Sequence, residues 1–80
     1  MRYLLTRHPE LIRAFHDEYG SKYATLIQHV GGVSEARNLF RRGDIVFGVI
    51  PYYVQEILDQ KRILYYRLVY DPRTGKLKGA

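Results

Sequence analysis

The sequence has no cysteine, so it holds neither a disulfide framework nor a thiolate metal site. No apolar run approaches the ~20 residues that a bilayer-spanning helix needs. There is no G-x-x-x-x-G-K-[ST] loop, which argues against a P-loop nucleotidase, and Gly31-Gly32 is not a G-x-G-x-x-G fingerprint. No H-E-x-x-H and no carboxylate array suggests a metal site, so the expected chemistry uses no metal and no cofactor. Internal repeats and low-complexity segments are absent as well. Met1-Arg2-Tyr3 passes straight into a strand-like run rather than the n-region, h-region and cleavage site of a signal peptide, and a cytoplasmic protein is expected.

What is present is the composition of one small globular domain: 80 residues, 46% apolar and 26% charged. At this length folding buries only ~60% of the unfolded chain's surface, so a homodimer is a natural supplement to stability. The formal net charge is +5, which favours anionic partners. Arg41-Arg42 and Lys61-Arg62 are the adjacent basic pairs; the other bases are spread out, unlike a disordered basic arm.

Strand-like and helix-like runs alternate along the chain. Arg2 to Thr6 reads as a strand. Pro9 suits a first helical turn, Glu10 complements the helix dipole, Leu11, Ile12, Phe15 and Tyr19 share one face, and Gly20 is a stop. Ala24 to Val30 has strand length and ends at Gly31-Gly32. Ser34 is the expected N-cap of a short helix carrying Ala36, Leu39 and Phe40, with Arg41 and Arg42 in its last turn and Gly43 ending it. Ile45 to Ile50 is the most apolar run, as expected of a central strand covered on both faces. After Pro51, Tyr53, Val54, Ile57 and Leu58 form a third helical face, and Arg62 to Tyr70 is a longer strand. The expected fold is therefore α/β: a small Rossmann-like, three-layer (βα)-repeat domain over residues 1–70. It has four mostly parallel strands in the order 2-1-3-4. Residues 71–80 read as a turn-rich, basic tail.

Parallel sheets bind ligands beyond the carboxyl ends of their strands, at the point where strand order reverses. That rule selects Thr6, Arg7 and His8 after the first strand, and His29, Gly31 and Gly32 after the second. After the third it selects Gly48 to Pro51 with Tyr52 and Tyr53. Arg7 is suited to bidentate phosphate binding, Gly48 to close backbone approach, and tyrosines at an element's end to base stacking. Each also has a plainer reading: Thr6 as a strand end, Arg7 as a surface cation, His8 as a helix cap and Gly48 as relief of packing. His29 is read as structural.

Two segments carry a resemblance. Tyr3-Leu4-Leu5-Thr6-Arg7-His8-Pro9, followed by Gly43-Asp44-Ile45-Val46-Phe47-Gly48-Val49-Ile50-Pro51, resembles the small accessory proteins of type III CRISPR loci. Their signatures are T-R-H-P after an N-terminal strand and a later G-D-x-V-x-G-x-x-P. The likeness runs from about Tyr3 to Val69. It departs at Glu10-Leu11, where the family usually has Gly-Ala, and after the last strand, where the family tends to continue into another helix.

The resemblance implies a ring nuclease: a metal-independent, homodimeric enzyme that linearises cyclic oligoadenylate, above all cyclic tetra-adenylate, by attack of a ribose 2′-OH on the adjacent phosphorus. It implies Arg7 and His8 as catalytic residues, with Thr6, Gly48 and Pro51 at the ligand; Gly31, Gly32 and Tyr52 are expected to bind ligand from their places after the second and third strands. No membrane and no long nucleic acid are expected as partners. Other readings remain: a protein that sequesters or senses the cyclic nucleotide without cutting it, and a general nucleic-acid module resting on charge alone. A histidine phosphatase is a further one, suggested by Arg7-His8-Pro9-Glu10 but with proline in place of its glycine and about half the chain length.

Overall fold

A computed structural model describes residues Met1–Gly79. Along the chain run β1 (Arg2–Leu5), α1 (Pro9–Tyr19), β2 (Thr25–Ile27), α2 (Val33–Leu39), β3 (Ile45–Gly48), α3 (Tyr52–Lys61), β4 (Leu64–Asp71) and β5 (Lys76–Gly79). They form a mixed α/β domain with one five-stranded sheet in the order β2-β1-β3-β4-β5. β1 pairs in parallel with β2 and β3, β3 pairs in parallel with β4, and β4 and β5 are antiparallel.

The layers follow from the direction of each crossover. From β1 the chain steps outward to β2, then returns past β1 to β3 and on to β4. Right-handed crossovers in opposite directions put their helices on opposite faces of the sheet. Accordingly, α2 and α3 cover one face through Tyr3, Leu5, Val46, Ala36, Phe40, Val54, Ile57 and Leu58. α1 packs on the other face, with Leu11 and Phe15 against Leu4 and, at its margin, Phe47, Leu68, Tyr70 and Leu77. The alternation of Tyr3, Leu4 and Leu5, all buried, explains why β1 reads as an unbroken apolar run: its two faces serve two cores. Lys61 links the helices of the larger core, its Nζ donating to the carbonyls of Arg37 and, at 2.8 Å, Phe40 at the end of α2.

Three expectations change. The 2-1-3-4 order holds for the first four strands, but the sheet has a fifth. The segment read as a tail turns back on itself: β4 continues to Asp71, the Arg73 N–H donates to Asp71 Oδ1 (2.9 Å), and the Gly75 N–H donates to the Asp71 carbonyl (2.8 Å). Gly75 adopts φ +70°, a left-handed conformation that glycine takes without Cβ strain. β5 carries Leu77 alone among its residues as a large apolar side chain, opposite Tyr70 and against the α1 core. One residue cannot display a period, which is why the strand was invisible in the sequence. Ala80, the last residue of that expected tail, lies outside the described residues.

The short helix also begins earlier than expected, at Val33 after Gly32. Ser34 therefore sits inside its first turn and is not the cap. Finally, β2 is confined to Thr25–Ile27 and β3 ends at Gly48, so the residues beyond both are released into loops at one end of the sheet.

At the opposite end, Asp44 secures the entry to β3. Its Oδ2 accepts the Arg41 N–H (2.9 Å), and its Oδ1 accepts from the Met1 ammonium (2.9 Å). Burial pushes the Asp44 pKa up; the Arg41 hydrogen bond and the bond and charge of the ammonium outweigh it, leaving the pKa below its ordinary 3.8. A carboxylate with a depressed folded pKa contributes stability that is complete above the unfolded value and is lost as pH falls through the folded one. Asp44→Asn is expected to lose about 1–2 kcal/mol at neutral pH, and its unfolding midpoint is expected to fall less than wild type's on acidification below the carboxylate range. Urea titrations of both proteins at neutral and acid pH measure this.

Candidate functional site

The strand ends converge on a cavity of about 260 Å³. β1 delivers Leu5, Thr6, Arg7 and His8, the loop after β2 delivers Gln28, His29 and Val30, and the chain after β3 delivers Val49 and Pro51, with Tyr53 from the first turn of α3. This is the switch point of the sheet, where β1 lies between β2 and β3.

Thr6 continues the pairing of β1, its N–H donating to the Ile27 carbonyl (3.1 Å), and it is buried. Its Oγ1 accepts the His8 N–H (3.1 Å), a local turn of the kind that threonine hydroxyls make between strand and helix. That bond sets the exit of the chain from β1. α1 then starts at Pro9, and its first backbone bond runs from the Ile12 N–H to the His8 carbonyl (3.0 Å). His8 stands at the N-cap position but makes no side-chain capping bond. The threonine, and not the imidazole, organises this corner.

Arg7 reaches sideways to the neighbouring strand's exit. Its Nε donates to the Gln28 carbonyl (3.1 Å), and one terminal nitrogen lies 2.6 Å from His29 Nδ1. Both partners are neutral acceptors. The ion pairs among the described residues join the Met1 ammonium to Asp44 and Arg73 to Asp71, so no carboxylate neutralises Arg7 there. A guanidinium has five N–H donors; with two engaged, three are left for an oxyanion.

Tyr53 closes the far wall, its hydroxyl donating to the Val30 carbonyl (2.8 Å). The bond ties α3 to the loop after β2. No group of three or more His, Asp or Glu side chains among the described residues is arranged to hold a metal.

Of the residues singled out from the sequence, Thr6, Arg7, His8 and Pro51 line this cavity. Gly31, Gly32, Gly48 and Tyr52 do not. The Gly31 N–H donates to Glu35 Oε2 (2.8 Å), so a carboxylate from α2 already occupies the place a phosphate oxygen would take. Gly48 faces β1, not the cavity: a Cβ there would stand 2.1 Å from the Leu5 carbonyl oxygen. Tyr52 is 72% exposed, because a step of one residue along α3 turns it away from the wall that Tyr53 forms.

Position after a strand selects His29 and Tyr53, but neither is carried into the expected site, His29 being read as structural. Tyr53 had been placed on the apolar face of its helix, and an inward tyrosine at a helix start beside a strand end was the available signal. For His29 the signal was its position after the second strand; nothing local reveals that Arg7, 22 residues earlier, meets it. Set against known proteins, the chain matches no family model, no curated protein and no solved structure.

Proposed function

We propose that this protein is a ring nuclease that binds and linearises cyclic oligoadenylate, with cyclic tetra-adenylate as the substrate. The observation that carries the reading is Arg7. Its guanidinium is held by two neutral acceptors, is paired with no carboxylate among the described residues, and stands beside His8 at the switch point of a parallel sheet. An uncompensated cation in that place suits a phosphodiester. The T-R-H-P and G-D-x-V-x-G-x-x-P resemblance supplies the substrate class.

In the proposed reaction a ribose 2′-oxygen bonds to the adjacent phosphorus as the bond from phosphorus to the 5′-oxygen breaks. The products are a 2′,3′-cyclic phosphate and a 5′-hydroxyl. Arg7 donates to the equatorial oxygens, where negative charge grows in the phosphorane. His8, as imidazolium, gives its proton to the departing 5′-oxygen, and the 2′-hydroxyl proton passes to solvent. Thr6 holds the turn that presents both side chains. Pro51 and Tyr53 form the opposite wall, against which sugar and base pack.

The volume of about 260 Å³ lies just under the ~300–1,000 Å³ of drug-sized ligand sites. It suits one nucleotide unit and not a whole ring. The proposal therefore has the ring shared between the sites of two copies, as in the homodimers that the resemblance implies.

The test is chromatographic: purified protein is incubated with cyclic oligoadenylates of several ring sizes, with and without chelator. Linear products from cyclic tetra-adenylate, unaffected by chelator, are expected. Return of intact ring from stoichiometric protein would instead favour the sequestering reading, and no binding of any ring would overturn both.

A further inference from the structure

We propose that His29 is the positioning residue for Arg7, a latch that aims the guanidinium into the cavity. The inference takes Arg7 as the anion-binding group, and so rests on the reading above, but the latch itself is a property of the ligand-free protein.

The geometry assigns the ring's chemistry. At 2.6 Å from a guanidinium nitrogen, which only donates, Nδ1 must accept and therefore carries no proton. The proton of the neutral ring then sits on Nε2. A proton added at Nδ1 replaces the acceptor by a donor and sets a second positive charge against the first. The contact breaks, leaving Arg7 with the Gln28 carbonyl as its one remaining partner of the two.

The charged and titratable groups around the latch are Arg7 itself and His8 from the end of β1, Tyr53 from α3, and Glu35 of α2, which is bound to the Gly31 N–H. No Asp or Glu lines the cavity, so a second positive charge there meets no lining carboxylate. A further consequence concerns proton transfer: His29 cannot take a proton at Nδ1 without giving up Arg7. His8, whose backbone is engaged with Thr6 and Ile12 while its side chain makes no capping bond, is the imidazole left for that task.

The experiment has a ligand-free arm and a ligand arm, each with wild type, His29→Ala and His29→Asn. Asparagine places an acceptor oxygen about where Nδ1 stands and does not titrate. His29 is exposed, so both variants should fold. In the first arm, long-range nitrogen–proton spectra should show His29 as the Nε2–H tautomer. The Arg7 Nε–H signal should be sharp in wild type and His29→Asn and exchange-broadened in His29→Ala.

In the second arm the probe is cyclic tetra-adenylate. His29→Ala should bind about tenfold more weakly at neutral pH, as expected for loss of a hydrogen bond to a charged group, and His29→Asn should bind like wild type. An Nδ1–H tautomer, or an Arg7 signal indifferent to His29→Ala, overturns the latch. Spectra as expected with no binding of cyclic tetra-adenylate by wild type would uphold the latch and overturn the functional reading.

Discussion

Replacing Arg7 with alanine is expected to slow cleavage of cyclic tetra-adenylate by about 10²–10³-fold, the usual effect of removing one preorganised donor from a developing oxyanion. The fold should not suffer, because Arg7 is exposed and both of its bonds lie at the rim of the sheet. Lysine should recover little: an ammonium is a point charge on a flexible stem and cannot reproduce the fork that spans Gln28, His29 and a phosphate together. His8→Ala is expected to lose about 10²-fold or more if the imidazole moves a proton. His8→Asn, which keeps a polar group but transfers no proton, should be as slow. Single-turnover rates with labelled ring, beside circular dichroism and thermal melts, measure this directly. Wild-type turnover in both Arg7→Ala and His8→Ala would remove the two residues from the reaction.

Gly48→Ala is expected to be the most damaging small substitution in the chain. Gly48 pairs with Leu5 across the centre of the sheet, and the next N–H, of Val49, donates to the Leu5 carbonyl at 2.9 Å. A Cβ would meet that same oxygen at 2.1 Å and the Leu5 carbonyl carbon at 2.9 Å. Both are backbone atoms with no rotamer to yield. The backbone at φ +131° is one that L-residues rarely adopt, which adds strain of about 1–3 kcal/mol. With overpacking of about 1–3 kcal/mol, the loss approaches the total stability of a domain this size, roughly 4–12 kcal/mol. Gly48→Ala should show a sharply lowered melting point or no cooperative transition, and Gly48→Val should not fold. Alanine at Gly43, also at positive φ but with nothing within 4 Å of its Cβ position, serves as the control: it carries the backbone strain without the clash. A melting point for Gly48→Ala equal to that of Gly43→Ala would show that the contact with β1 is not the cause.

The role of Gly48 shows what local reading reached and where it stopped. A glycine inside an apolar strand signals close approach, and close approach is what the structure has. The sequence does not say what comes close, and the nearest atoms are those of β1 rather than of a ligand. Gly31 and Gly32 are similar. Their position after a strand fits an anion loop, yet the outcome depends on Glu35, one helical turn away, reaching back to the Gly31 N–H.

By itself the sequence determined the alternation of strands and helices, because each element's apolar period is local and each is bounded by its own proline, glycine or polar stop. It favoured the order 2-1-3-4 for the first four strands, because the most apolar strand belongs at the centre, but did not fix it; the structure decided that order and added β5 at the edge. The sequence also put Thr6, Arg7 and His8 at the ligand end of the sheet, because they follow a parallel strand. Only the tertiary structure decided the rest. β5 exists because one leucine finds the α1 core, a fact of packing and not of period. Tyr53 and not Tyr52 faces the cavity because the start of α3 sets the angle of the helix by a residue. Arg7 meets His29 because β2 lies beside β1 and ends at Ile27, a match of register between strands that no stretch of the chain contains.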